Sequence, residues 1–110
     1  MRLERELEHD ALQRQFDCLA RRWSLTDTEV AALLGEDDEN GRERASRVLL
    51  EIDCLMRDLI GEETMLEWLR DDHGTGLGPL RFMSLGRDEL SAMLSAARLR
   101  HSEVIAGRSG

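Results

Sequence analysis

The chain has 110 residues and a formal net charge of −8, with 41% apolar and 35% charged residues. That length fits one domain, which buries roughly 65% of its extended surface and holds one modest core. The negative field repels a phosphate backbone except at a local basic patch, and with aromatics at 4% and no Tyr the chain offers no base-stacking platform.

Every basic residue is Arg. Cys18 and Cys54 lie far apart with no CxxC pair, so they read as reduced thiols on or beside apolar helix faces in a cytoplasmic protein. The start "MRLERELEHD" is too charged for a secretory signal, and the longest apolar run, "VAALL" at 30–34, is too short for a membrane span.

The apolar spacing predicts helices throughout. The first covers about 3–22, with Leu3, Leu7, Ala11, Phe16, Leu19 and Trp23 as a drifting stripe. The second has the clearest start signal: Thr26 and Glu29 form a capping box, flanked by Leu25 and Val30 as a hydrophobic staple. It ends at Gly35, with Val30, Leu33 and Leu34 inward. An acidic loop, "EDDENG" at 36–41, leads to a long helix over about 42–60, where Ala45, Val48, Leu49, Ile52, Leu55, Met56 and Leu59 follow i, i+3, i+4, i+7 spacing. A short fourth helix at 62–70 carries acids at its start and Arg70 at its end, matching the helix dipole. After "DDHGTGLG", Pro79 opens a fifth helix packed through Leu80, Met83 and Leu85. The last helix covers about 87–102 with Leu90, Met93, Leu94, Ala97 and Leu99 apolar, and a frayed tail ends the chain.

No catalytic or metal constellation emerges. His9, His73, His101 and the cysteines lack ligand spacing, and the acids around 62–72 flank a short surface helix rather than a dry cleft. "HGTGLGP" neither follows a strand nor contains the Lys that a phosphate loop needs. The chain is therefore expected to be non-enzymatic and free of cofactors and metals.

The opening of a helix-turn-helix is visible in "RRWSLTDTEVAALLG", but the adjoining run "EDDENGRE" is acidic where a reading helix would be basic. Arg42, Arg44 and Arg47 are the residues that could meet phosphates, against Glu36, Asp37, Asp38, Glu39 and Glu43.

Two segments carry a family resemblance. "LARRWSLTDTEVAALLG" at 19–35 resembles the front of the Xre-like helix-turn-helix of the Xre/MbcA/ParS antitoxins. "RVLLEIDCLMRDLIGEETMLEWLRDDHGTGLGPLRFMSLGRDELSAML" at 47–94 resembles their toxin-binding module, through Trp68-Leu69, His73 at the turn, Leu77-Gly78, Pro79-Leu80 and Gly86. The DNA-reading helix and the linker after it have no counterpart between Gly35 and Ala45, the glycine loop is short, and Arg81 stands where the family often has Asp.

The resemblance implies a non-enzymatic antitoxin that occludes a RES-type, NAD-consuming toxin. It places partner contacts at Trp68, His73, Leu77, Gly78, Pro79, Leu80 and Arg81, and interface preference for Arg adds Arg87, Arg98 and Arg100. Trp68 and Leu80 also suit a core. The alternatives are a DNA-binding repressor using Arg42, Arg44 and Arg47, and a helical adaptor or dimerisation protein. The expected architecture is an all-α single domain of five or six helices: a degenerate helix-turn-helix-like part at 1–46, a toxin-binding module at 47–102 and a flexible tail at 103–110. A homodimer paired through the first helix is expected, with nucleic acid and membrane as unexpected partners.

Overall fold

The computed structural model describes residues 2–35, 38–72, 74 and 76–109, without the side chains of residues 2–7, 9 and 109. It is all-helical: α1 (Arg2–Arg22), α2 (Asp27–Leu34), α3 (Glu39–Ile60), α4 (Glu62–Arg70), α5 (Pro79–Met83) and α6 (Arg87–Ser109). α3 is the central element and packs against α1, α2, α4 and α6, while α5 bridges α4 and α6. One core collects Phe16 and Leu19 from α1, Trp23 from the turn after it, Leu33 and Leu34 from α2, and Ala45, Leu49 and Ile52 from α3. Met65 and Leu69, Leu80 and Met83, and Leu90 and Leu94 complete it from α4, α5 and α6.

Local chemistry sets the helix ends. The Thr26 hydroxyl accepts from the Glu29 amide at 3.1 Å, and the Glu29 carboxylate accepts from the Thr26 amide at 2.9 Å, so the expected capping box is formed. Gly35 and Gly61 close α2 and α3 at φ 76° and 83°, which L side chains resist. α1 ends differently. The Leu25 amide donates to the Ala20 carbonyl and the Ser24 amide to the Arg21 carbonyl, the paired bonds of a Schellman turn. Ser24 holds the left-handed position at φ 55°, where glycine is the usual occupant.

Five expectations are corrected. α3 begins at Glu39, capped by the Asp38 side chain on the Gly41 amide at 3.0 Å, so the end of the expected loop, from Glu39 to Gly41, is helical and the α2–α3 connection is short. An Asp cap followed by Glu satisfies free amides and complements the helix dipole, which a purely apolar reading of the start overlooked. α6 continues to Ser109, through the segment expected as a tail. Its apolar Val104 is half-buried, and Glu103, Ala106 and Arg108 favour the helix past residue 102 although Gly107 does not. Leu85 and Leu99, expected inside, are 62% and 63% exposed. Cys18 and Cys54 are exposed free thiols rather than parts of apolar faces. The line drawn at residues 46 and 47 falls inside α3, whose two halves belong to one continuous core.

The buried charged residue among those described is Asp53, which is 1% exposed on the inner face of α3. Its Oδ1 accepts from the Trp23 indole N–H at 2.9 Å. Its Oδ2 meets the Arg22 guanidinium at 2.5 Å and the Arg57 Nε at 3.1 Å. A carboxylate out of water is costly unless charges and donors meet it, and here one indole and two guanidinia do. The cluster ties the C-terminal turn of α1 to the middle of α3.

Candidate protein-interaction face

The residues expected at a partner interface fall into three groups. Gly78, Pro79 and Leu80 are buried at the α4–α5 corner. Trp68 is half-buried and packs on the core. These four hold the corner together. Pro79 stands at the first position of α5, where its missing N–H costs nothing. Gly78 passes so close to the end of α4 that a Cβ there would sit 2.9 Å from the Asp71 carbonyl oxygen. Gly78→Ala is therefore expected to cost about 1–3 kcal/mol of stability, read as a lower midpoint in urea unfolding. An unchanged midpoint would show that the corner relaxes.

The second group is charged and already engaged. Arg98 on α6 makes a two-pronged pair with Glu51 on α3, from its Nε and, at 2.8 Å, from its Nη2. One helical turn on, the His101 Nε2 lies 2.7 Å from the Asp58 carboxylate. These surface pairs span α3 and α6, so Arg98 is already engaged within the chain. Arg87 is exposed and already in contact with other groups, beside a hollow it shares with Asp38, Asn40 and Arg44.

The third group is outward-facing. Arg81 is exposed and borders a small hollow of about 220 Å³ that also touches Arg70, Asp72, Gly76 and Gly78. The Arg100 side chain is 74% exposed, with Glu103 a loose 3.8 Å away. Leu77 is 37% exposed. His73 lies outside the described residues. The sequence pattern did not mark Leu85, Leu99 and Ile105 as surface groups; with Leu77 they are the exposed large hydrophobics among the described side chains, and all four fall between residues 77 and 105. Helical phase was the available signal for Leu99. It lies on the side of α6 opposite Leu90, Leu94 and Ala97, with Ala92, Ala96 and Ala106 as its neighbours along the helix.

The arginines considered for phosphate do not converge. Arg42 lines a groove toward α1 and α2, Arg44 lines the separate hollow with Arg87, and Arg47 is exposed elsewhere on α3. Among the described residues no group of three His, Cys, Asp or Glu side chains is placed to hold a metal ion, and no helix is long and apolar enough to cross a membrane.

Arg70 joins three elements. Its Nη2 donates to the Trp23 and Ser24 carbonyls at 3.1 and 2.9 Å, capping the end of α1. Its Nη1 meets Glu29 of the α2 capping box at 3.1 Å. The Arg70 hydrogen bond, then the Thr26 amide, hold the Glu29 carboxyl below its ordinary value of 4.5, and the Arg98 hydrogen bond does the same for Glu51. A lowered folded-state pKa adds stability that is fully present above the unfolded value and is lost as pH falls through the folded one. Stability is therefore expected to decline on acidification below about pH 4.5, with a shallower decline in Arg70→Ala and in Arg98→Ala, measured by urea midpoints from pH 7 to 3. Parallel curves for wild type and both variants would exclude these pairs as the source.

The chain matches no protein-family model, and no curated protein and no solved structure matches it either.

Proposed function

We propose that the chain is a non-enzymatic, antitoxin-like protein that binds a RES-type, NAD-consuming toxin and occludes its active site. The observation that carries this reading is that the exposed large hydrophobics among the described side chains are Leu77 and Leu85, within the stretch 47–94 that resembles a toxin-binding module, and Leu99 and Ile105 further along α6. Where such side chains gather into one patch, they favour a protein partner over a polar ligand. Arg81 and Arg100 add exposed guanidinia, a residue type that carries binding energy at interfaces. Gly78, Pro79, Leu80 and Trp68 act by holding the α4–α5 corner in shape, and Arg98 is engaged with Glu51.

The test is co-expression with a RES-domain protein of the same genome and titration of the purified partners. Leu85→Glu with Leu99→Glu is expected to weaken binding by about thirtyfold or more while the helical spectrum is kept. Full affinity in that variant would remove the C-terminal face from the interface. Self-pairing through α1 belongs to the same reading, and light scattering would then return twice 12.6 kDa.

A DNA-binding repressor is the second reading, favoured by the short α2–α3 connection. The net charge of −8 and the divergence of Arg42, Arg44 and Arg47 oppose it. It requires a retarded promoter band with a steep salt dependence, and no band at low salt would end it.

A further inference from the structure

Past Ala97 no described side chain of α6 is buried: His101 and Val104 are half-buried and the others exposed. The part of the helix seated in the core, through Leu90, Leu94 and Ala97, therefore ends about three turns before Ser109. Two pairs reach α3 from the unseated end. Arg98 meets Glu51 through its Nε and, at 2.8 Å, its Nη2, and the His101 Nε2 lies 2.7 Å from the Asp58 carboxylate. Glu51, Leu55 and Asp58 stand at i, i+4 and i+7, on one face of α3. Leu55 is half-buried and packs on the core, and the helix that joins both acids passes over it. Ala97, His101 and Val104 repeat the same spacing on α6.

We propose that residues 98–109 form a strap over Leu55, latched by these two pairs and opening by local unwinding while the rest of α6 stays seated. Exposed ion pairs are weak, and each shifts an equilibrium by about fivefold at most. That is enough here, because a helical segment this short is marginal in water and the strap has no buried side chain to hold it. Gly107, near its free end, disfavours the helix further. Opening uncovers Leu55 and displaces Leu99 and Ile105, so the latch governs which apolar surface the chain presents.

The test is amide hydrogen exchange on the full chain, followed residue by residue by NMR at rising urea below the unfolding midpoint. Amides of 102–106 are expected to be protected, but about tenfold or more below those of 91–97, and to depend only weakly on urea, since a local opening exposes little surface. Glu51→Ala with Asp58→Ala should lower protection at 102–106 by about threefold or more. Glu8→Ala with Asp10→Ala, which removes two exposed carboxylates from α1, should leave 102–106 unchanged. Three results would each overturn the proposal. One is a strap that shares the protection and urea dependence of 91–97, which makes α6 a single unit. Another is a strap without protection in the wild type, which leaves no closed state. The third is an equal effect of the two double variants, which removes the pairs as the latch. The exchange is measured on the free chain, so its outcome and that of the toxin titration are independent.

Discussion

Asp53→Ala is expected to lower folding stability by about 3–5 kcal/mol, the usual result of removing one partner from a buried charge cluster. The variant strands the Trp23 N–H, which is buried, and removes the carboxylate that the Arg22 guanidinium meets. Arg22 and Arg57 are 31% and 39% exposed on their side chains and can turn to water, so the loss concentrates on the buried Trp23 N–H. Since a domain of this size has only about 5–15 kcal/mol in total, the variant should be partly unfolded at about 37 °C. Asp53→Asn keeps an acceptor for the indole and should lose less. Chemical denaturation followed by circular dichroism reads both. An Asp53→Ala midpoint equal to wild type would mean that the cluster contributes nothing net, as some buried ion pairs do.

Trp23→Ala should cost a similar ~3–5 kcal/mol, by a different route. Trp23 is 2% exposed at the end of α1 and belongs to the core with Phe16 and Leu19, so truncation leaves a cavity as well as an unpaired Asp53 oxygen. Trp23→Phe separates the two effects. It keeps most of the volume and loses the hydrogen bond, for about 1–3 kcal/mol. In the Asp53→Asn background the extra loss from Trp23→Phe should shrink, because the bond is then already weakened, and a double-mutant cycle measures that coupling. Strict additivity would separate the indole from the carboxylate energetically.

The helices were legible because periodicity and capping are local. Thr26 with Glu29, Gly35 and Pro79 mark ends through chemistry within a few residues, and the structure keeps each of them. The start of α3 was misread because acids suggest a loop when read by hydropathy and a helix N-terminus when read by dipole. Asp53 was passed over for a related reason. Counting apolar residues along α3 skips a polar residue on the inner face, although its place one turn after Leu49 was a signal. Its partners Arg22 and Trp23 lie about thirty residues away in sequence, and nothing local pairs them. Arg70 likewise fits the dipole at the end of α4, but its capping of α1 depends on tertiary placement.

At the candidate face the sequence separates residue types better than it separates surface from core. Gly78, Pro79 and Leu80 stand out by motif, yet their packing shows why a tight corner needs them, with Gly78 against the Asp71 carbonyl. Leu85 and Leu99 read as core because Leu usually is, and only the phase of α6 and the end of α5 turn them outward. Arg98 shows the converse. Its residue type suits an interface, but Glu51 lies within reach across the α3–α6 contact.

The most direct measurement is NAD consumption by a purified RES-domain protein of the same genome, monitored as the chain is titrated in. Occlusion predicts that turnover falls linearly to baseline near one chain per toxin, and that Leu85→Glu with Leu99→Glu restores turnover at that ratio. Turnover that stays unchanged at a large excess of the wild-type chain would contradict the account.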